Sequence, residues 1–254
     1  MSIVTRAADG VLSIGLNRAE KKNAITAAMY QAIADALRGA GDDPAVRCIL
    51  LHGTEEVFTA GNDLDDFMKN PPQGEASPVA QFLHAISTCA KPLVAAVSGP
   101  AVGVGTTMLL HCDLVYASSS ARFSTPFTRL ALCPEAASSL LMPMIAGYQR
   151  AAEKLLLGEP FGADEAQAIG IVNRVLPVDE LLAFAQAQAL KLAQLPASSL
   201  RVTKRLMKQG LGAAIAQRMA AEGAEFGAML RSPEAREAFT AFFEKREPDF
   251  TKFA

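Results

Sequence analysis

Gly99-Pro100-Ala101-Val102-Gly103-Val104-Gly105-Thr106-Thr107 decides how this chain folds. It follows an apolar run, Pro92–Val97, with the length and composition of a buried strand, and it leads into apolar residues at helical spacing as far as His111. Alternating glycines between a strand and a helix permit three arrangements. They can cradle a phosphate, point backbone N–H groups at an oxyanion, or let the helix pack closely on the strand. The stretch lacks the Gly-Lys-Ser/Thr of a Walker loop. Gly103 and Gly105 also lack the third glycine and the acidic partner of a dinucleotide fold. Among the remaining arrangements the glycines alone do not choose.

Upstream, Ile3–Ala7 and Val11–Leu16 flank Asp9-Gly10, a hairpin signal. Ile25, Met29, Ile33 and Leu37 predict a helix over Ala24–Gly39 that stops at Gly39. Val46–Leu51 is a short strand, Asn70–Gly74 (NPPQG) a loop, and Leu114–Ala117 a further strand. From Ala136 to Phe243 the period is helical almost throughout, punctuated by Gly147, Gly158, Gly170, Pro177, Pro196 and Pro233. Strands alternating with helices, followed by a helical last third, make an α/β fold, divided here into residues 1–195 and a C-terminal helical segment, 196–254.

A chain of 254 residues can bury a full core. Its net charge of −2 offers no broad electrostatic footprint for nucleic acid or acidic lipid, and the absence of Trp removes the strongest stacking residue. No nucleic acid or membrane partner is expected. No apolar run suits a bilayer span, the first ten residues lack a signal-peptide core, and the final KFA is not a peroxisomal address. The four cysteines are scattered singly, as expected of buried reduced thiols in a cytoplasmic protein. The three histidines show no ligand spacing, so no metal site is expected.

Two further places invite chemistry. Phe58-Thr59-Ala60-Gly61-Asn62-Asp63-Leu64 is written as a strand-to-helix turn. It is either an ordinary glycine turn with Asp63 capping the next helix, or a turn that exposes backbone donors. Glu135 is the only charged residue between Leu130 and Ile145. It is either the first-turn carboxylate of a helix, favoured by the macrodipole, or an acid held in an apolar pocket with its pKa raised into the range of a proton shuttle.

Taken in order and at their spacing, these segments resemble the crotonase (enoyl-CoA hydratase/isomerase) superfamily over essentially the whole chain. Leu16–Ala24 (LNRAEKKNA) is similar to its N-terminal signature, and Phe58–Leu64 and Lys91–Gly105 to its two oxyanion-hole segments. His111–Leu114 (HCDL), Gly170–Val175 (GIVNRV) and Phe242–Phe250 (FFEKREPDF) match further stretches. The resemblance implies a spiral of strand-strand-helix units whose C-terminal helices assemble homotrimers or hexamers. It implies an acyl-CoA thioester as partner and no cofactor apart from the coenzyme A carried by the substrate. The backbone N–H groups of Ala60 and Val104 would hold the thioester oxygen. Lys22, Ala24, Ala60, Gly61, Asn62, Asp63 and Leu64 would line the CoA site, with Lys245 reaching it from the tail.

Within the superfamily, hydratases use two glutamates, at positions that correspond here to Thr107 and Phe127. Peroxisomal-type 3-enoyl-CoA to 2-enoyl-CoA isomerases keep one acid/base residue after a Pro. Gly99–Gly103, Phe123–Phe127 (FSTPF) and Cys133–Ser139 (CPEAASS) look like their stretches. This resemblance makes Glu135 the single catalytic acid/base, moving a proton from C2 to C4 of a 3-enoyl thioester. A weak hydratase and a non-catalytic CoA-thioester binder are the other readings.

Overall fold

The structure, a computed structural model, describes residues 2–70 and 74–253. Pro71, Pro72 and Gln73, the centre of the loop expected at Asn70–Gly74, lie outside those residues. Nine strands are described: β1 (Ile3–Ala8), β2 (Val11–Leu16), β3 (Cys48–His52), β4 (Leu93–Val97), β5 (Pro100–Val102), β6 (Leu114–Ser118), β7 (Arg122–Ser124), β8 (Phe161–Gly162) and β9 (Arg174–Leu176). The helices among these residues are α1 (Ala27–Asp42), α2 (Leu64–Lys69), α3 (Pro78–Thr88), α4 (Val104–Thr107), α5 (Ser138–Ala146), α6 (Tyr148–Leu157), α7 (Ala163–Ala168), α8 (Val178–Gln194), α9 (Ala197–Met207), α10 (Leu211–Met229) and α11 (Pro233–Glu244).

Six strands form one sheet in the order β1-β2-β3-β4-β6-β9, and β5, β7 and β8 form a second. The hairpin at Asp9-Gly10 is present, with both turn residues left-handed and Ala8 paired to Val11. From β2 onward the large sheet is parallel, which requires helical crossovers and leaves its central strands covered on both faces. The period of two in those strands divides the core. Ile49, Leu51, Leu93, Ala95 and Val97 face the cluster built with α1 and α3. Cys48, Leu50, Val94 and Ala96 face α8, whose Ala185, Ala189 and Ala193 recur every fourth residue and let that helix lie close to the sheet. Truncating a fully buried residue such as Leu50 to Ala would cost about 2–5 kcal/mol.

Three expectations are corrected. The first helix begins at Ala27, where the Thr26 hydroxyl accepts from Met29 N, and it runs through Gly39 to Asp42. Its end is set from a distance by the buried ammonium of Lys91, which donates to the carbonyls of Ala40, Asp43 and Val46. The helical stretch from Ala136 to Phe243 is broken by β8 and by β9, the edge strand of the large sheet. Cys48 is buried as expected, whereas Cys89, Cys112 and Cys133 are only partly covered. No helix among the described residues is long and apolar enough to cross a membrane.

Candidate active site

The segment Arg18–Ile25 exists structurally to hold the turn at Phe58–Asp63. Lys22 and Asn23 are both left-handed (φ 50° and 53°). The Asn23 amide donates to the carbonyls of Val57 and Phe58, at 3.1 Å each, while its oxygen accepts from Arg18 N at 2.7 Å. The Thr59 hydroxyl donates to Asn23 O at 2.6 Å. Arg18 Nη1 then reaches Ala24 O at 2.9 Å and Asp63 Oδ2 at 2.7 Å, and Asp63 Oδ1 caps α2 by accepting from Asp66 N. On its other side the turn is stitched to β5, with Thr59 N to Pro100 O at 2.9 Å and Val102 N to Thr59 O at 3.0 Å. The simpler expectation for this segment, a glycine turn with an Asp cap, is met. A second property accompanies it.

That property is the supply of uncommitted backbone donors. Ala60 N–H is not one of them, because it donates to Lys22 O at 2.9 Å, which corrects its expected role. Two residues on, Ile25 N donates to Gly61 O and Asp63 N to Ile25 O, so the parallel bridge between Ile25 and Asn62 leaves Asn62 N–H outside the pairing. Gly61 makes this possible, with φ 87° and a site where a Cβ would lie 2.8 Å from Val102 O. Asn62 N–H and Val104 N–H, the latter opening α4, have no acceptor among the described residues. Sequence reading placed the donor two residues early. The residue after a glycine of this conformation was the available signal. The Asn62 side chain is itself anchored, its oxygen accepting from the buried Tyr30 hydroxyl.

Gly105 brings the two turns together. A Cβ there would meet Thr59 Cγ2 at 2.5 Å, so close packing of α4 also proves to be a use of the glycine pattern. Thr107, at the end of α4, donates from Oγ1 to Glu135 Oε1 at 2.9 Å. Glu135 is not in a first helical turn, for α5 starts only at Ser138, after two left-handed alanines. It is half-buried, with its carboxyl hemmed in by protein. Burial pushes its pKa up to about 7, with the Thr107 hydrogen bond opposing and the nearby Glu222 carboxylate reinforcing. Of the two expectations for Glu135, the shielded acid is the one the geometry matches.

A cleft of about 490 Å³ gathers Ala24, the whole segment Ala60–Leu64 and Val104 in its lining. Phe127 and Leu132 form part of its apolar wall, and Phe239, Phe242 and Arg246 from the C-terminal segment close another side. Lys22 and Lys245 are exposed and lie outside this lining. Their neighbours Lys21 and Arg246 stand in it instead. Arg246 is oriented there by Glu237, which accepts from it at 2.5 and 3.1 Å. Glu135 does not itself line the cleft. Its neighbour Leu132 faces this cleft, while Cys133, Pro134 and Ser139 face a second depression of about 560 Å³.

Two uncommitted N–H groups at facing glycine turns, with one shielded carboxyl beside them, suit a reaction that builds charge on an acyl oxygen. Residues 6–252 match the enoyl-CoA hydratase/isomerase family. The chain belongs to that family. Enoyl-CoA delta isomerase 2 of Rattus norvegicus is 38% identical over 213 residues, covering 82% of this chain and 54% of that protein. The chain thus spans about half the length of that relative. A probable enoyl-CoA hydratase of Rhodobacter capsulatus is 33% identical over 249 residues, covering 96% of this chain and 95% of the other. Among solved structures, an enoyl-CoA hydratase/isomerase from Pseudoalteromonas atlantica superposes with a TM-score of 0.95 at 44% identity, over 98% of this chain and all of that one. This member of the enoyl-CoA hydratase/isomerase family is therefore similar both to isomerases and to hydratases, so the finer activity rests on its own side chains.

Proposed function

We propose that this family member is an isomerase that shifts the double bond of 3-enoyl-CoA thioesters to the conjugated 2-position. The observation that carries the reading is the single shielded carboxyl of Glu135, with a pKa of about 7, next to two turns with uncommitted donors. In this reading the thioester oxygen accepts from Asn62 N–H and Val104 N–H. Glu135 takes a proton from C2, giving a dienolate whose charge rests on that oxygen, and returns the same proton to C4. Nothing is added to or lost from the substrate, so one carboxyl suffices. A base poised near neutral pH is suited to both halves of the transfer. Removing one such donor typically costs about 3–4 kcal/mol of transition-state stabilisation. The apolar wall formed by Phe127 and Leu132 keeps water from the intermediate.

Hydratase-named relatives favour a second reading, in which water is added across a 2-enoyl thioester. Phe127 is buried with its ring against Phe226, and Thr107 is buried with its hydroxyl committed to Glu135. Neither position offers a carboxylate to hold and activate a water, which argues for the isomerase. A thioester binder without catalysis would have no use for a carboxyl titrating near neutrality. The test is turnover of 3-hexenoyl-CoA, followed by the absorbance of the conjugated thioester, beside a Glu135→Gln variant. A loss of several orders of magnitude in the variant is expected. Equal rates in both proteins, or silence in both, would sink the assignment.

A further inference from the structure

Behind Glu135 the backbone takes a path that needs outside support. Ala136 and Ala137 are both left-handed, with φ 58° and 56°, a conformation that L-residues keep only where their surroundings over-determine it. The peptide joining them is gripped at both ends. Its carbonyl accepts from Nε2 of the buried His111 at 2.8 Å. Its N–H donates to Oε2 of Glu222 at 2.6 Å. Burial lowers the His111 pKa to about 4, so the ring is neutral and its Nε2–H is fixed as the donor.

Glu222 arrives from α10, 85 residues further along the chain. Its other oxygen accepts from Ser139 N at 3.0 Å and from Ser139 Oγ at 2.5 Å. All three donors are uncharged; Ala137 N belongs to the loop that carries Glu135, and both Ser139 groups belong to the first turn of α5, which that loop enters. A buried carboxylate is retained against its desolvation only where such donors meet it, and here they meet it where the Glu135 loop enters α5.

We propose that Glu222 is a positioning residue of the active site, fixing through the Ala136–Ala137 peptide the direction in which Glu135 leaves the backbone. The inference rests on Glu135 being the acid/base, and it adds a residue that touches neither the cleft nor the substrate. Glu222 also acts through space. After burial, its negative charge is the remaining influence that raises the Glu135 pKa. Around Glu135 stand also the Thr107 hydroxyl on α4, which opposes the shift, and the Tyr30 phenol on α1 and the Cys133 thiol in the same loop, whose own pKa values the Glu135 charge helps to raise; all three are neutral near pH 7. The charge that tunes the base and the clamp that aims it are the same side chain.

The experiment measures kcat and KM for 3-hexenoyl-CoA from about pH 5 to pH 9, the range that brackets a carboxyl titrating near neutrality. The proteins are wild type, Glu222→Gln, Glu222→Ala and Glu135→Gln, each with its thermal unfolding transition. Glu222→Gln can still accept from Ala137 N–H but carries no charge, so the midpoint of its kcat profile is expected at lower pH than in wild type. Glu222→Ala loses the clamp, and its kcat is expected to fall roughly tenfold to a hundredfold, as misplaced catalytic groups do. Its KM should stay within about twofold, because binding does not involve the clamp. A midpoint unchanged in Glu222→Gln overturns the proposal, including where Glu222→Ala fails to fold. A Glu222→Ala kcat equal to wild type, beside an inactive Glu135→Gln, overturns it and leaves the isomerase reading standing. A fully active Glu135→Gln overturns both.

Discussion

The hydroxyl of Thr107 donates to Oε1 of Glu135 at 2.9 Å, joining the end of the second glycine turn to the shielded carboxyl. This bond stabilises the charged form of Glu135 and so opposes the burial that raises its pKa. Thr107→Val keeps the shape and removes the bond. The midpoint of the kcat profile should move to higher pH, and kcat at pH 7 should fall by about three- to tenfold. A pH–rate series decides, since an unmoved midpoint would mean that the bond is absent in the working complex.

Raising a carboxyl's pKa on folding has a thermodynamic consequence of known sign. The folded state holds the Glu135 proton more tightly than the unfolded chain, whose value is near 4.5. Stability from this group is fully present below that value and is lost as pH rises through about 7. Glu135→Gln should therefore unfold like wild type at pH 4 and be more stable than wild type at pH 8. The gain should be about 1–3 kcal/mol, allowing for the partial exposure of the side chain. Denaturant midpoints at the two pH values measure it, and a constant offset would contradict the shielded-acid geometry.

Close approach of the two turns can be tested by a coupled pair. Gly105→Ala drives a methyl into Thr59 Cγ2 and should destabilise by about 1–3 kcal/mol, with kcat falling as α4 shifts. Thr59→Ser removes that methyl yet keeps the hydroxyl that donates to Asn23 O. The double variant should recover most of both losses, a non-additivity that a double-mutant cycle reads directly. Additive losses would place the strain elsewhere.

Asp63 links the N-terminal segment to the first turn, and its net pKa lies below the usual carboxylate range. Burial acts to raise it, but the bonds from Arg18 and from Asp66 N outweigh that effect. Its contribution to stability is present above the unfolded value of 3.8 and is lost as pH falls through the lower folded value. Asp63→Asn keeps a cap but loses the ion pair, and should cost about 1–2 kcal/mol at neutral pH and progressively less in acid. Urea titrations across that range provide the check.

What the sequence disclosed depended on how local the deciding interaction was. Asp9-Gly10 specifies its hairpin within four residues, and the apolar run Val46–Leu51 marks a buried strand without saying which side chain meets which layer. Gly39 looked like a helix stop, yet the helix ends where the ammonium of Lys91 collects its last carbonyls, a contact between residues 51 apart in sequence. Strands β8 and β9 are two and three residues long, too short to show a period. At the site, both glycine turns and Glu135 were legible by type. The choice of Asn62 over Ala60 was not, because Ala60 N–H is consumed by a carbonyl on a remote turn. Nor was the loop at Glu135, whose left-handed alanines are held from two distant places, by His111 and by Glu222 of α10.

The cleft's outer wall, formed by Phe239, Phe242 and Arg246, is drawn from residues that follow the glycine turns and Glu135 far along the chain. The glycine turns and Glu135 are synthesised long before it. A nascent or prematurely terminated chain would therefore carry the donors and the acid with one side open to bulk water. That side closes only once residues 239–246 have been made, so a chain stopped before Phe239 should leave the site open to water even where its sheet has already formed.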